Sequence, residues 1–254
     1  MCVIAFRWEP GTALPLILIA NRDEVHARPT DVAHRWAEGP IGGRDRQAGG
    51  SWLAVGEAGR LAAVTNVREV PPRPAAKSRG ALVSDFLTED VTADDMAHRL
   101  DEYGACNLML IADGEAWALG NRTDANIRRL APGIHAVSNG PFGPSWPKAR
   151  RLHDALLPEP EAGPPGSGRL FAVLADRTPP PDADLPDTGI GIERERALGA
   201  PFILGAEYGT RASTIVTVDA KGRGRFLERS FAANGEVTGD VALDFRWPAH
   251  SVGG

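Results

Sequence analysis

Apolar residues run in short blocks along most of the chain, and clusters of turn formers separate them. "CVIAFRW" and "LPLILIA" flank Glu9-Pro10-Gly11-Thr12, which predicts an antiparallel hairpin. "SWLAVGEAGRLAAVTN" predicts another, turning at Glu57 to Gly59, and "CNLMLIADGEAWALGN" a third, turning at Asp113-Gly114. "TIVTVDAKGRGRFLERSF" predicts a fourth across Asp219 to Gly224. Helical spacing takes over in "RGALVSDFLTED", in "TADDMAHRLDEY" with Thr92 as cap, in "SWPKARRLHDALL" with Ser145 as cap and Pro147 in the first turn, and in "GRLFAVLAD". The proline-rich "PEPEAGPPGSG" and "RTPPPDADLPDTG" are surface excursions rather than linkers, because neither flanks a complete set of strands and helices. Residues 1–254 therefore read as a single domain.

Strands that are apolar on both faces need cover on both faces. Several such hairpins with a few amphipathic helices predict an α+β fold. In it two antiparallel sheets face each other and helices cover the outside, a four-layer αββα sandwich.

With Pro10-Gly11 as the centre of the first turn, paired positions sum to about 21, so Cys2 lies opposite roughly residue 19. Because side chains alternate, Cys2 would then share a face with Ile19, Asn21 and Asp23, while Arg22 and Glu24 point the other way. In either register the polar "NRDE", Asn21 to Glu24, emerges beside the start of the chain.

Composition narrows the function. The 254 residues are 43% hydrophobic, enough for a sizeable core, and the formal charge is −5. That balance, with Lys and Arg dispersed, argues against nucleic acid as a partner. The apolar run Leu14 to Ala20 is far too short to span a bilayer, and no secretory signal opens the chain, so the expected compartment is the cytoplasm. Two cysteines, Cys2 and Cys106, make no disulfide framework, and no ligand spacing suggests a metal.

A cysteine at position 2 carries particular chemistry. Removal of Met1 would leave Cys2 with both a thiol and a free α-amine. An α-amine of pKa about 7.7–8.0 is partly neutral at physiological pH and accepts the proton of a thiol near 8.5. Nucleophile and base would be one residue, with Arg22 or Asp23 holding the amine and tuning it. The plain alternative is a packing cysteine in a buried first strand.

The N-terminal "MC", "NRDE", "GGRD" at Gly42 to Asp45, "GGSWLAV", "RLAAVTNVRE", "SNGPFGPSWPK" and "YGTRASTIVTVD" occur in one order across nearly the whole chain. Together they resemble the NRDE family, also called the transport-and-Golgi-organisation protein 2 family, grouped with the N-terminal-nucleophile hydrolases. The resemblance implies the αββα sandwich and a kinship with the choloylglycine hydrolases and penicillin V acylases, which cleave linear amides with an N-terminal Cys. By that resemblance Cys2 is the nucleophile, and Arg22 and Asp23 orient it and its amine. Asn66 offers a backbone N–H and Asn139 a side-chain amide to an oxyanion hole, and Arg211 stands beside the thiol. The relatives space the Arg and Asp two residues apart, whereas here they are adjacent and face opposite sides of a strand. Asn21 or Glu24 then takes one of the roles unless the strand ends between Arg22 and Asp23.

The function so implied is hydrolysis of an acyl-amide or acyl-thioester small molecule, with no cofactor required. The rival is a carrier, because proteins resembling this family have been linked to haem trafficking and to acyl-CoA or lipid handling. A haem would be its ligand, although no C-x-x-C-H or paired axial ligands are evident in the sequence.

Overall fold

The computed structural model describes residues 2–72, 75–122, 126–157 and 166–248. Thirteen strands among these form two antiparallel sheets. The first sheet contains β1 (Cys2–Trp8), β2 (Leu16–Val25), β10 (Gly133–Val137), β11 (Tyr208–Val218), β12 (Arg223–Phe231) and β13 (Val237–Arg246), in the order β10-β1-β2-β11-β12-β13. The second contains β3 (Thr30–Arg35), β4 (Ile41–Asp45), β5 (Leu53–Val55), β6 (Leu61–Asn66), β7 (Cys106–Ala112), β8 (Glu115–Gly120) and β9 (Ile127–Leu130), in chain order.

Alternation along these strands divides the apolar residues into three layers. Ile4, Phe6, Leu18 and Phe226 of the first sheet meet Leu53, Ala63 and Met109 of the second in the central layer. The outer face of the second sheet, with Ala62, Val64 and Leu108, is covered by Leu82, Phe86 and Met96 of α1 (Gly80–Thr88) and α2 (Ala93–Arg99). The outer face of the first, with Val3, Ala5, Ile17 and Ile19, is covered by Ala149, Leu152, Leu170 and Leu174 of α3 (Pro147–Ala155) and α4 (Ser167–Leu174). The expected αββα sandwich is therefore the observed one. A further helix, α5 (Ile192–Ala197), stands against the segment after β6 through an ion pair between Glu195 and Arg68. The buried Arg7 of β1 donates to the Leu156 and Leu157 carbonyls at the end of α3, placing a cation where that helix's dipole is negative.

Local chemistry explains the element boundaries. Thr92 caps α2 in a reciprocal box with Asp95, as its sequence suggested, but the helix gives way to a 3₁₀ turn at Leu100–Glu102. Pro147 opens α3, and the capping position is Trp146 rather than Ser145. The apolar pattern does not predict strands β3, β4, β9, β10 and β13. Most of the "PEPEAGPPGSG" excursion lies outside the described residues.

The first hairpin needs a correction. Its register pairs Cys2 with Arg22, Ala5 with Ile19 and Trp8 with Leu16. The Pro10-Gly11 turn does form, with Thr12 N–H donating to Glu9 O, but the loop is longer than that turn. Leu14 is drawn into the outer core, Ala13 O accepts from Ala220 N, and Glu9 N donates to Pro15 O. The loop is thereby centred near Thr12, and the parity of every pair reverses. Arg22 shares the face of Cys2, and Asn21 and Asp23 face the helices.

Candidate active site

Cys2 lies at the wall of a cavity of about 300 Å³ between the ends of the two sheets. Arg22, Asp23 and Glu24 line it from β2, Asn66 and Trp52 from the second sheet, and Ser78, Arg79 and Gly80 from the start of α1. Close backbone packing builds the far wall: a Cβ on Gly50 would lie 2.3 Å from the Gly80 carbonyl carbon. This contact and the 3.1 Å Ser51 N to Gly80 O bond seat the start of α1 against the "GGSW" turn.

The adjacency of Arg22 and Asp23 is resolved by where β1 begins. Arg22 stands directly across from Cys2 on the same face. Asp23 lies one step beyond the start of β1, still paired with Thr210 of β11, and lines the cavity from the other face. Its carboxylate charge pushes the Cys2 thiol pKa up, more than the hydrogen bond from its backbone N–H and the charge of Arg22 each pull it down. Burial, the larger effect, pushes that thiol up, so the group is a protonated thiol at neutral pH and requires a base in contact to become a nucleophile. Arg22 is 5% exposed, and its Nη1 makes no hydrogen bond among the described residues. Its Nη2 lies 3.7 Å from Glu24 Oε2, which is 4.0 Å from Arg28 Nε. Arg28 in turn is held by Asp45 of the "GGRD" segment at 2.6 Å.

The two asparagines meet. Asn139 Nδ2 donates to Asn66 O at 2.9 Å, and Asn139 Oδ1 lies 3.0 Å from Ser138 Oγ, which is 3.1 Å from Cys2 O. Thr65 Oγ1 donates to Ser138 O and Asn107 Nδ2 to Gly140 O, clamping the 138–140 segment onto the second sheet. Val64 N donates to Trp52 O on the β5 side of β6. By strand alternation the Asn66 N–H is directed the same way, past the start of β5. Asn66 lines the cavity, whereas Asn139, fully buried, is not among its lining residues.

Two candidates sit elsewhere. Arg211 occupies the bulge between β11 and β2, and its Nη1 donates to the carbonyls of Val25, His26 and Arg28, each at 3.1 Å. It lines a second cavity of about 140 Å³ and not the one beside the thiol. Asn21 is fully buried under the helices, donating to Leu174 O and Pro201 O and accepting from Ser213 Oγ at 2.6 Å.

Two buried charged residues at the site escaped sequence reasoning. Lys148, in the first turn of α3, is 1% exposed, and its Nζ lies 3.7 Å from Asp23 Oδ2. Glu228 of β12 is 3% exposed and accepts from Ala33 N at 2.6 Å. It lines the second cavity, which shares Arg22 and Trp52 with the first. A signal for Glu228 did exist, since it follows Gly224 and Phe226 at strand spacing on the inward face. Lys148 had none beyond its place beside Pro147. Among the described residues no group of His, Cys, Asp and Glu could hold a metal ion, and no helix is long and apolar enough to cross a membrane.

An αββα sandwich with a cysteine at the head of an inner strand, opening on a cavity at the sheet ends, defines an N-terminal-nucleophile-hydrolase-like fold. Among solved structures the chain is similar to the Caenorhabditis elegans orthologue of N-acylethanolamine-hydrolyzing acid amidase. That match has a TM-score of 0.52 and 9% identity over 84% of this chain and 92% of that one, a likeness of fold alone. The family model for Transport and Golgi organisation 2 matches residues 1–233, and the chain belongs to that family. It is 32% identical to the Transport and Golgi organization 2 homolog of Mus musculus and 33% identical to the corresponding protein of Homo sapiens. In both cases 91% of this chain and 93% of the relative are covered.

Proposed function

We propose that the protein is a cysteine hydrolase that cleaves a linear amide or an acyl thioester, with Cys2 as nucleophile after removal of Met1. The observation that carries this reading is the placement of the Cys2 thiol in the cavity wall, with Arg22 opposite it and the Asn66 N–H aimed past the start of β5. The α-amine of Cys2 takes the thiol proton as sulfur attacks the carbonyl carbon. Negative charge then develops on the carbonyl oxygen, where the Asn66 N–H receives it. Loss of one such donor costs about 2.7–4 kcal/mol in related chemistry. Asn139 holds Asn66 in place through its carbonyl. The ammonium returns its proton to the leaving amine or thiol, and water then attacks the acyl-cysteine with the amine again as base.

The lining favours this reading over haem carriage. Among the described residues the cavity wall is largely charged and polar, whereas a haem needs apolar walls. The test is a panel of acyl-amides and acyl-thioesters turned over by the wild type and by Cys2→Ala, with intact mass reporting the state of Met1. Turnover by protein lacking Met1, abolished in Cys2→Ala, is the expected result. Retention of Met1 in the active protein, or turnover that survives the substitution, overturns it. Stoichiometric binding of acyl-CoA or haem without turnover would establish the carrier instead.

A further inference from the structure

We infer that Lys148 is a positioning residue which, through Asp23, keeps the α-amine of Cys2 in its free-base form. This rests on the N-terminal-nucleophile reading above.

The Lys148 ammonium is carried into the interior by the first turn of α3, and its Nζ makes no hydrogen bond among the described residues. Its closest opposite charge is Asp23 Oδ2 at 3.7 Å, and both side chains are shut away from water. A lysine desolvated in this way is costly, so the site retains it against its own stability.

The groups facing the pair come from several elements. From β11, Thr210 Oγ1 donates to Asp23 Oδ1 at 2.7 Å and Tyr208 OH to the Asp23 carbonyl at 3.0 Å. From β1 comes the Cys2 thiol, and from the segment after β6 comes Arg68, whose charge is matched by Glu195 of α5. Burial pushes the Asp23 carboxyl up and the Lys148 ammonium down, each opposed by the other.

Charge accounting gives the consequence. With the proton on either partner, Lys148 and Asp23 carry no net charge together. An α-amine next to this neutral pair is under no compulsion to hold a proton. Arg22, across from Cys2, and Arg68 are cations in both cases; without Lys148 the charge that matches Asp23 is lost, and an amine beside its buried carboxylate would stay an ammonium unable to accept the proton of the Cys2 thiol. Lys148 therefore acts on the base without touching the substrate.

The test uses full-length chain with Cys2 as its first residue, labelled with ¹⁵N-cysteine, and follows the α-amine by NMR across pH. In wild type the amine titrates at or below the ordinary range of about 7.7–8.0. In Lys148→Met the midpoint rises by about one unit or more, the usual effect of leaving a nearby carboxylate without its matching charge. Lys148→Arg restores it towards the wild-type value. An unmoved midpoint in a folded Lys148→Met protein would show a packing role only and overturn the inference. If the variants do not fold, a wild-type amine titrating well above the ordinary range overturns it equally. Neither readout needs a substrate, so absence of acyl turnover alone would remove the hydrolase reading and leave this result standing.

Discussion

Glu228 offers a test of the interior electrostatics that is independent of any substrate. Its carboxyl is buried on the face of β12 that looks towards the second sheet, near Arg22. Burial pushes its pKa up to about 7 from 4.5, against the pull of the Ala33 N–H and of Arg22. Below about pH 4.5 folded and unfolded chains both hold this proton. Between there and about pH 7 only the folded chain does, so stability falls as pH rises through that window and levels off above it. A gap of about 2.5 units at about 1.4 kcal/mol per unit puts the loss near 3 kcal/mol. Glu228→Gln removes the titration while keeping the shape and the acceptor for Ala33 N–H. Its amide lies directly across in register from Thr214, whose hydroxyl has no hydrogen-bond partner among the described residues. Urea unfolding of both proteins from about pH 4.5 to about pH 8 should find them similar at the acid end and the variant more stable by about 3 kcal/mol at the alkaline end. Parallel stability curves, within about 1 kcal/mol throughout, would refute the buried-acid account.

Arg211→Ala removes three hydrogen bonds to the carbonyls of the β2–β3 turn and should lower stability by about 2 kcal/mol. Its guanidinium is outside the Cys2 cavity, so kcat on whichever acyl substrate is found should stay within a few fold, as steady-state kinetics beside a melting curve would check. Asn21→Ala leaves the Leu174 and Pro201 carbonyls and the Ser213 hydroxyl without their partner in the interior. Chemical denaturation should record a loss of about 3 kcal/mol, well above that of an exposed Asn substitution.

The apolar patterning made the layered sandwich legible, because turn formers punctuate strands whose both faces are apolar. The edge strands β3 and β13 lack that pattern, as half the positions of β3 and most of those of β13 face water, and only pairing with β4 and β12 marks them as strands. Cys2 and the "NRDE" segment were legible as neighbours, but their facing was not. It depends on Leu14 and Ala13 being captured by distant parts of the core, information that a local turn rule does not hold. Arg22 therefore faces the thiol where Asn21 had been expected. Lys148 and Glu228 were missed for a common reason. Charged side chains are presumed to be solvated, and each is buried by segments far away in the chain.

The central claim is that the Cys2 thiol carries an acyl group during turnover. The most direct measurement is rapid quench of the Met1-free protein with an acyl-thioester or acyl-amide substrate, followed by mass analysis of the N-terminal peptide. The account predicts an added mass equal to the acyl group on Cys2. It should appear before steady state, be removed by hydroxylamine, and be absent in Cys2→Ala. Turnover with no acyl group on Cys2 at any time, or with the acyl group on Cys106, whose thiol burial pushes up to about 11, would contradict it.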